Sequence, residues 1–123
     1  MIEILKIDAN LPTLNEYIDL ERSSRYGAAT LKKNATNKVC LFANRMQKLP
    51  EKLFDIEIHW IRTNNKHDAD NVFFGVKFIL DGIVKAGKLK SDGRKHIRNI
   101  SHKIETSKET ETNFCIVKFI ETC

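Results

Sequence analysis

The stretch from Asn71 to Ala86 constrains this chain most. Val72, Val76, Ile79, Leu80 and Ile83 fall on one face at helical spacing, and Phe73, Phe74, Phe78 and Val84 fill much of the rest. A helix that is apolar nearly all round must be covered on most of its sides, so the remaining chain has to wrap around it. In 123 residues there is room for one core and one domain, residues 1–123, long enough to fold without covalent staples.

The covering elements follow from other periodicities. Ile2 to Ile7 alternates apolar with charged residues and predicts a short strand. Leu31, Ala35, Val39, Phe42, Ala43 and Met46 recur at three and four residues, which predicts a helix that begins after Gly27 and is stopped by Pro50. Phe54 to Ile61 alternates strictly, the signature of a half-buried strand, and a polar loop, Thr63 to Lys66, leads into the apolar helix. Beyond a Lys- and Gly-rich loop, Ile97 to Ile104 and Phe114 to Ile120 read as two strands joined as a closing hairpin. The order β-α-β-α-β-β predicts an α+β domain, with a mixed sheet packing its helices on one face.

Composition sets the compartment. With 41% hydrophobic and 30% charged residues, the chain has neither the apolar depletion of a disordered segment nor a membrane-spanning run. Cys40, Cys115 and Cys123 are odd in number and form no CxxC or zinc-finger spacing, so no disulfide framework or structural zinc is indicated. The N-terminus lacks a basic, then apolar, leader. A cytoplasmic protein with no membrane partner and no small-molecule cofactor is expected.

The net charge of +5 is a small remainder of segregated terms. Met1 to Glu21 sums to −4, whereas Arg22 to Lys48 carries seven bases and no acid, and Lys85 to Lys103 carries seven bases with Asp92 as its one acid. Such blocks are either solvated faces or the footprint of a polyanion. On the second view Arg22, Arg25, Lys32, Lys33, Lys66, Lys90, Arg94 and Lys95 would track backbone phosphates.

Chemistry concentrates in Lys66-His67-Asp68-Ala69-Asp70-Asn71, directly ahead of the apolar helix. Carboxylates beside a buried element need a reason. Capping is one: Asp70 as the N-cap, with Asp68 near the positive helix end. At about 100° per residue, Asp70, Lys77 and Asp81 share one polar stripe, which a Lys77–Asp81 ion pair or a polar cleft would explain. Asp92 stands in a Ser-Asp-Gly turn. Together, Asp68, Asp70 and Asp92, with Asp81 as an accessory, would make an oxygen-rich pocket rimmed by cations, a site type that holds Mg²⁺ or Mn²⁺ against a phosphodiester.

Asp68-Ala69-Asp70-Asn71, then Lys77 and Asp81-Gly82, then Lys85-Ala86-Gly87-Lys88-Leu89-Lys90-Ser91-Asp92, resemble the RusA family of Holliday junction resolvases, metal-dependent endodeoxyribonucleases often carried by prophages. Leu11-Pro12-Thr13-Leu14-Asn15 resembles the Pro- and Asn-containing segment after that family's first strand. The resemblance spans nearly the whole chain. It implies catalytic, metal-holding Asp68, Asp70 and Asp92, an essential Lys77, Mg²⁺ as cofactor with Mn²⁺ as a substitute, and a homodimer making paired incisions in four-way DNA junctions, for recombination and repair. The implied product is a nick with a 5′-phosphate and a 3′-hydroxyl.

Two departures stand out. The lysine comes three residues later after the Asp-Asn pair than in the best-known member, and Ser91 replaces the first of two adjacent acids often found there. Reach adds a constraint. An unbroken helix to Ala86 ends about 22 Å from Asp70, and Gly87 to Asp92 spans at most about 20 Å. A helix ending early, near Gly82, is the preferred way to bring Asp92 back; the others are a meeting with Lys77 and Asp81 at mid-helix, or Asp92 from a partner subunit. The competing function is a non-catalytic phage-type nucleic-acid-binding protein whose aspartates only cap and turn.

Overall fold

The computed structural model describes residues 1–122, and Cys123 lies outside them. The elements run β1 (Ile2–Ile7), α1 (Leu14–Ser23), α2 (Arg25–Ala43), β2 (Phe54–Arg62), α3 (Ala69–Phe73), α4 (Val76–Lys85), β3 (Ile97–Thr106) and β4 (Phe114–Glu121). The four strands form one mixed sheet in the order β1-β4-β2-β3, with β2 and β3 parallel and the other neighbours antiparallel. The α+β architecture is that expected from the sequence.

Alternation along the strands decides which face is covered. Leu5 and Ile7, then Cys115, Val117 and Phe119, then Phe54, Ile56, Ile58 and Trp60 point into a single core with Val39, Ala43, Val72, Ile79 and Ile83 from the helices. Ile2 and Ile4, on the opposite face of β1, stay exposed.

The first helical region is broken in two. Thr13 caps α1, accepting from the Glu16 N–H at 3.4 Å while its hydroxyl donates to Glu16 Oε1 at 3.2 Å, a variant of the capping box in which the carboxylate meets the hydroxyl and not the Thr13 N–H. Ser24 is extended, at φ −161°, and its hydroxyl oxygen accepts from the Gly27 N–H at 2.9 Å, so it stops α1 and starts α2. The single helix expected to start after Gly27 therefore misses α1, which buries no residue and so carries little apolar periodicity.

The apolar helix also divides, into α3 and α4. Phe74 and Gly75 form a tight 3₁₀-type turn pressed against the Trp60 ring, with Gly75 N–H bonded to Val72 O at 3.1 Å. α4 then continues through Gly82 to Lys85, which overturns the early helix end near Gly82. At Gly82 a Cβ would stand 2.5 Å from Val39 Cβ and 2.9 Å from Thr36 O, so this glycine is there for contact between α2 and α4. The helix stops at Gly87 instead, whose φ of +74° suits a residue without Cβ.

The expected hairpin of the last two strands is not formed. β3 lies on one side of β2 and β4 on the other, so the loop 107–113 crosses over the end of β2. β4 is apolar on both faces and suits the sheet interior, whereas β3 is largely exposed and suits an edge.

Cys40 and Cys115 are free thiols. Cys115 is buried in the core, and that burial pushes its pKa up to about 12. At pH 8, in the native state, Cys115 should therefore react with a thiol reagent at least 10-fold more slowly than half-buried Cys40. Equal rates, read by mass spectrometry of labelled peptides, would show that the core opens.

Candidate metal and nucleic-acid site

The Lys66–Asn71 segment sits where β2 ends and the helical layer begins. Asp68 is the N-cap residue of α3 by position but makes no side-chain cap bond, and Asp70 lies in the first turn. The expected placing of Asp70 as the cap is thus corrected by two residues. Asp68 and Asp70 are both exposed. Asp70 Oδ1 accepts from the Asn71 N–H at 2.9 Å, and among the described residues neither carboxylate enters an ion pair.

Asn71 is buried, and its Oδ1 accepts from the Asn15 N–H at 2.8 Å. This bond joins the two segments that carried the resemblance. The Leu11–Asn15 segment anchors the aspartate loop, and Tyr17 adds an aromatic contact to Phe74 at 5.5 Å between ring centroids. Asn71 therefore fixes where Asp70 stands.

Lys77 Nζ lies 3.7 Å from Asp81 Oδ2, the i,i+4 ion pair, with Lys77 exposed. An exposed pair of this kind contributes about 0.3–0.5 kcal/mol. The Phe74–Gly75 turn interrupts the α-helical periodicity on which the three-residue stripe rested, and Lys77 makes no ion pair with Asp70.

Asp92 lies at the other end of the sheet. Phe54 N–H bonds His96 O at 2.9 Å, and the His96 and Ile97 N–H groups both bond Gly93 O at 3.0 Å, so Asp92 is one turn from the start of β3. α3 instead packs at Trp60, with the Phe73 ring tilted against it at 6.4 Å between centroids. From Phe54 to Trp60 the strand rises roughly 20 Å. Within one chain Asp92 therefore does not join Asp68 and Asp70, and among the described residues no group of three His, Cys, Asp or Glu side chains is placed to hold a metal. Asp92 is exposed and makes no ion pair with Lys77.

The Asp92 loop is held by other residues. Ser91 Oγ stands 2.8 Å from His96 Nδ1, and the Leu49 N–H bonds Lys88 O at 2.8 Å. Lys90 pairs with Glu51 at 2.6 Å, and this bond holds the Glu51 carboxyl below its usual range. Ser91, where the family often has an acid, thus works as a loop staple.

The cations divide into free and committed. Arg22, Arg25, Lys32 and Lys33 are exposed along α1 and α2, Lys66 is exposed two residues before Asp68, and Arg94 and Lys95 are exposed near Asp92. Lys90 is spent on Glu51. Arg98 pairs with Asp55 at 2.6 Å, which lowers the Asp55 pKa.

Two residues at this end of β2 were not singled out by the sequence. His102 Nδ1 accepts from Trp60 Nε1–H at 2.9 Å while Phe73 stacks on its ring at 4.3 Å, and burial lowers its pKa. Arg62 ends β2 and is buried. Both were legible in parity: Arg62 extends the even-numbered inward set of β2, and His102 pairs in register with inward Ile58.

His102 has a pH consequence. Because its folded pKa lies below 6.5, the unfolded chain takes the proton first, so stability falls as pH drops through about 6.5 and levels off below the folded pKa. In His102→Gln this part of the acid loss should disappear, a difference seen by comparing urea midpoints at pH 7.5 and 5. Equal pH sensitivity in the two proteins would discount the Trp60–His102 bond.

No protein-family model and no curated protein matches the chain. Among the described residues no helix is long and apolar enough to cross a membrane.

Proposed function

We propose that this chain is a divalent-metal-dependent endodeoxyribonuclease of the RusA type that cuts branched DNA as a homodimer. One observation carries the reading. Asp68 and Asp70 stand exposed, two residues apart, at the start of α3 beside buried Asn71; Asp68 makes no side-chain cap bond, Asp70 accepts from the Asn71 N–H, and among the described residues neither carboxylate enters an ion pair. Side-chain capping accounts for one oxygen of Asp70 and leaves the Asp68 carboxylate unexplained.

The donor set suits Mg²⁺, which commonly takes one or two carboxylates and fills its shell with water and substrate phosphate oxygens. Asp68 and Asp70 would hold it, and when bound the ion would supply a more acidic water and charge against the phosphoryl oxygens. The chain's own residues do the rest. Asn71 fixes the carboxylates, Lys77 places a cation one short helix away, and Arg22, Arg25, Lys32, Lys33 and Lys66 offer unpaired charge to a phosphate backbone. Asp92 enters this site only from a second chain, since its own lies a strand length away.

The absence of a three-carboxylate cluster among the described residues favours a second reading, a nucleic-acid binder without catalysis. One assay separates them. Purified protein is incubated with a mobile-core four-way junction, a duplex and a Y-fork, with and without Mg²⁺. The nuclease reading expects junction nicks that require the metal; junction binding without nicks at any Mg²⁺ or Mn²⁺ concentration establishes the second.

A further inference from the structure

Arg62 is the one arginine in the buried polar set, with 7% of its surface exposed. A guanidinium has five N–H donors and a charge it does not shed, so burial without acceptors is costly. Yet the Arg62 guanidinium makes no hydrogen bond and no ion pair with any described residue, and its nitrogens are not sealed from solvent.

The neighbours explain why the donors stay unclaimed. Glu16 and Cys115 are the groups whose charge would act on Arg62. Cys115 is neutral at pH 7, its thiol being pushed up to about 12. Glu16 is held back by the capping box, where its Oε1 accepts from the Thr13 hydroxyl at 3.2 Å, and it stays beyond the 4.0 Å ion-pair distance. The crossing loop supplies polar walls: Asn113 Oδ1 accepts from the Thr63 N–H at 2.8 Å, and Asn113 Nδ2 donates to Asn10 Oδ1 at 3.1 Å.

We infer that the end of β2 is an oxyanion subsite, in which Arg62 presents its planar fork to a phosphate group and Glu16 weakens that grip from a distance. Arg62 precedes Asp68 by six residues, at the end of β2 from which the aspartate segment continues. Assigning that phosphate to a DNA strand rests on the nuclease reading; the subsite itself does not.

The test titrates inorganic phosphate into metal-free protein at constant ionic strength and follows the melting temperature. Wild type should show a saturable rise that Arg62→Gln loses. Glu16→Gln keeps a capping-box side chain and removes the repelling charge, so half-saturation should move to roughly three- to tenfold lower phosphate. If Arg62→Gln does not fold, Glu16→Gln decides alone. No phosphate-dependent rise in wild type, or an unchanged half-saturation in Glu16→Gln, overturns the subsite. A parallel duplex-binding series identifies the source: the slope of log affinity against log salt should fall by about one in Arg62→Gln for a backbone phosphate. An unchanged slope overturns the DNA assignment and leaves a free-phosphate subsite. Phosphate binding without junction nicking overturns the nuclease reading alone.

Discussion

Gly82→Ala should lower the melting temperature by roughly 10 °C, since the overpacking it forces costs about 2–3 kcal/mol. The new Cβ would meet Val39 Cβ at 2.5 Å, Val39 Cγ1 at 2.6 Å and the Thr36 carbonyl oxygen at 2.9 Å. A rotamer change relieves only the Cγ1 contact, so α4 has to move away from α2. Both helices then lose fit against the sheet, because Val39, Ile79 and Ile83 belong to the same core. Gly93→Ala is the control. There a Cβ finds only Ser91 Oγ at 3.6 Å, and the change should stay within about 0.5 kcal/mol of neutral. If Gly82→Ala melted within 3 °C of wild type by calorimetry, α2 and α4 would not approach as described.

The second large effect concerns the aspartates. On the proposed function, Asp70→Asn and Asp92→Asn should each reduce Mg²⁺-dependent junction nicking by more than about 100-fold, since each removes a charged oxygen ligand. The separation of the two ends of β2 makes a sharper prediction for their mixture. In a heterodimer of the two variants, a site built from one chain's Asp68 and Asp70 and the partner's Asp92 is doubly damaged once and intact once. Statistical mixing should therefore restore roughly a quarter of wild-type nicking, almost all as single nicks. A site contained within one chain gives no recovery, because every chain carries one lesion. Gel assays on co-refolded variants read the outcome directly, and no recovery from two folded, DNA-binding variants would remove Asp92 from the site.

Much of the fold could be read locally. The strict alternation of Phe54 to Ile61 placed β2, and its parity extended by one residue agrees with the inward face on which Arg62 lies. The periodicity from Leu31 to Met46 found most of α2. What failed were questions of partnership. Ile97 to Ile104 and Phe114 to Ile120 were rightly strands, but nothing in their own residues said that β2 would lie between them. Gly82 illustrates the same limit: its low helix propensity suggested an end, while the residue that decides the matter, Val39, lies in another helix.

The candidate site divides the same way. Lys77 and Asp81 are four residues apart on one helix, and their ion pair was legible from spacing. The bond from Asn15 N–H to Asn71 spans 56 residues and was not, although both residues stood in the motifs that drew attention.

By itself the sequence determined the types of most elements, the inward face of β2, the segregation of charge and the Asp68-x-Asp70 spacing, because all of these depend on neighbours within a few residues. Only the tertiary structure decided strand order, the α2–α4 contact and the placing of Asp92 a strand length from Asp70. Those depend on which distant segments share the core, and a helix returning antiparallel to its strand necessarily delivers its two flanking loops to opposite ends of the sheet.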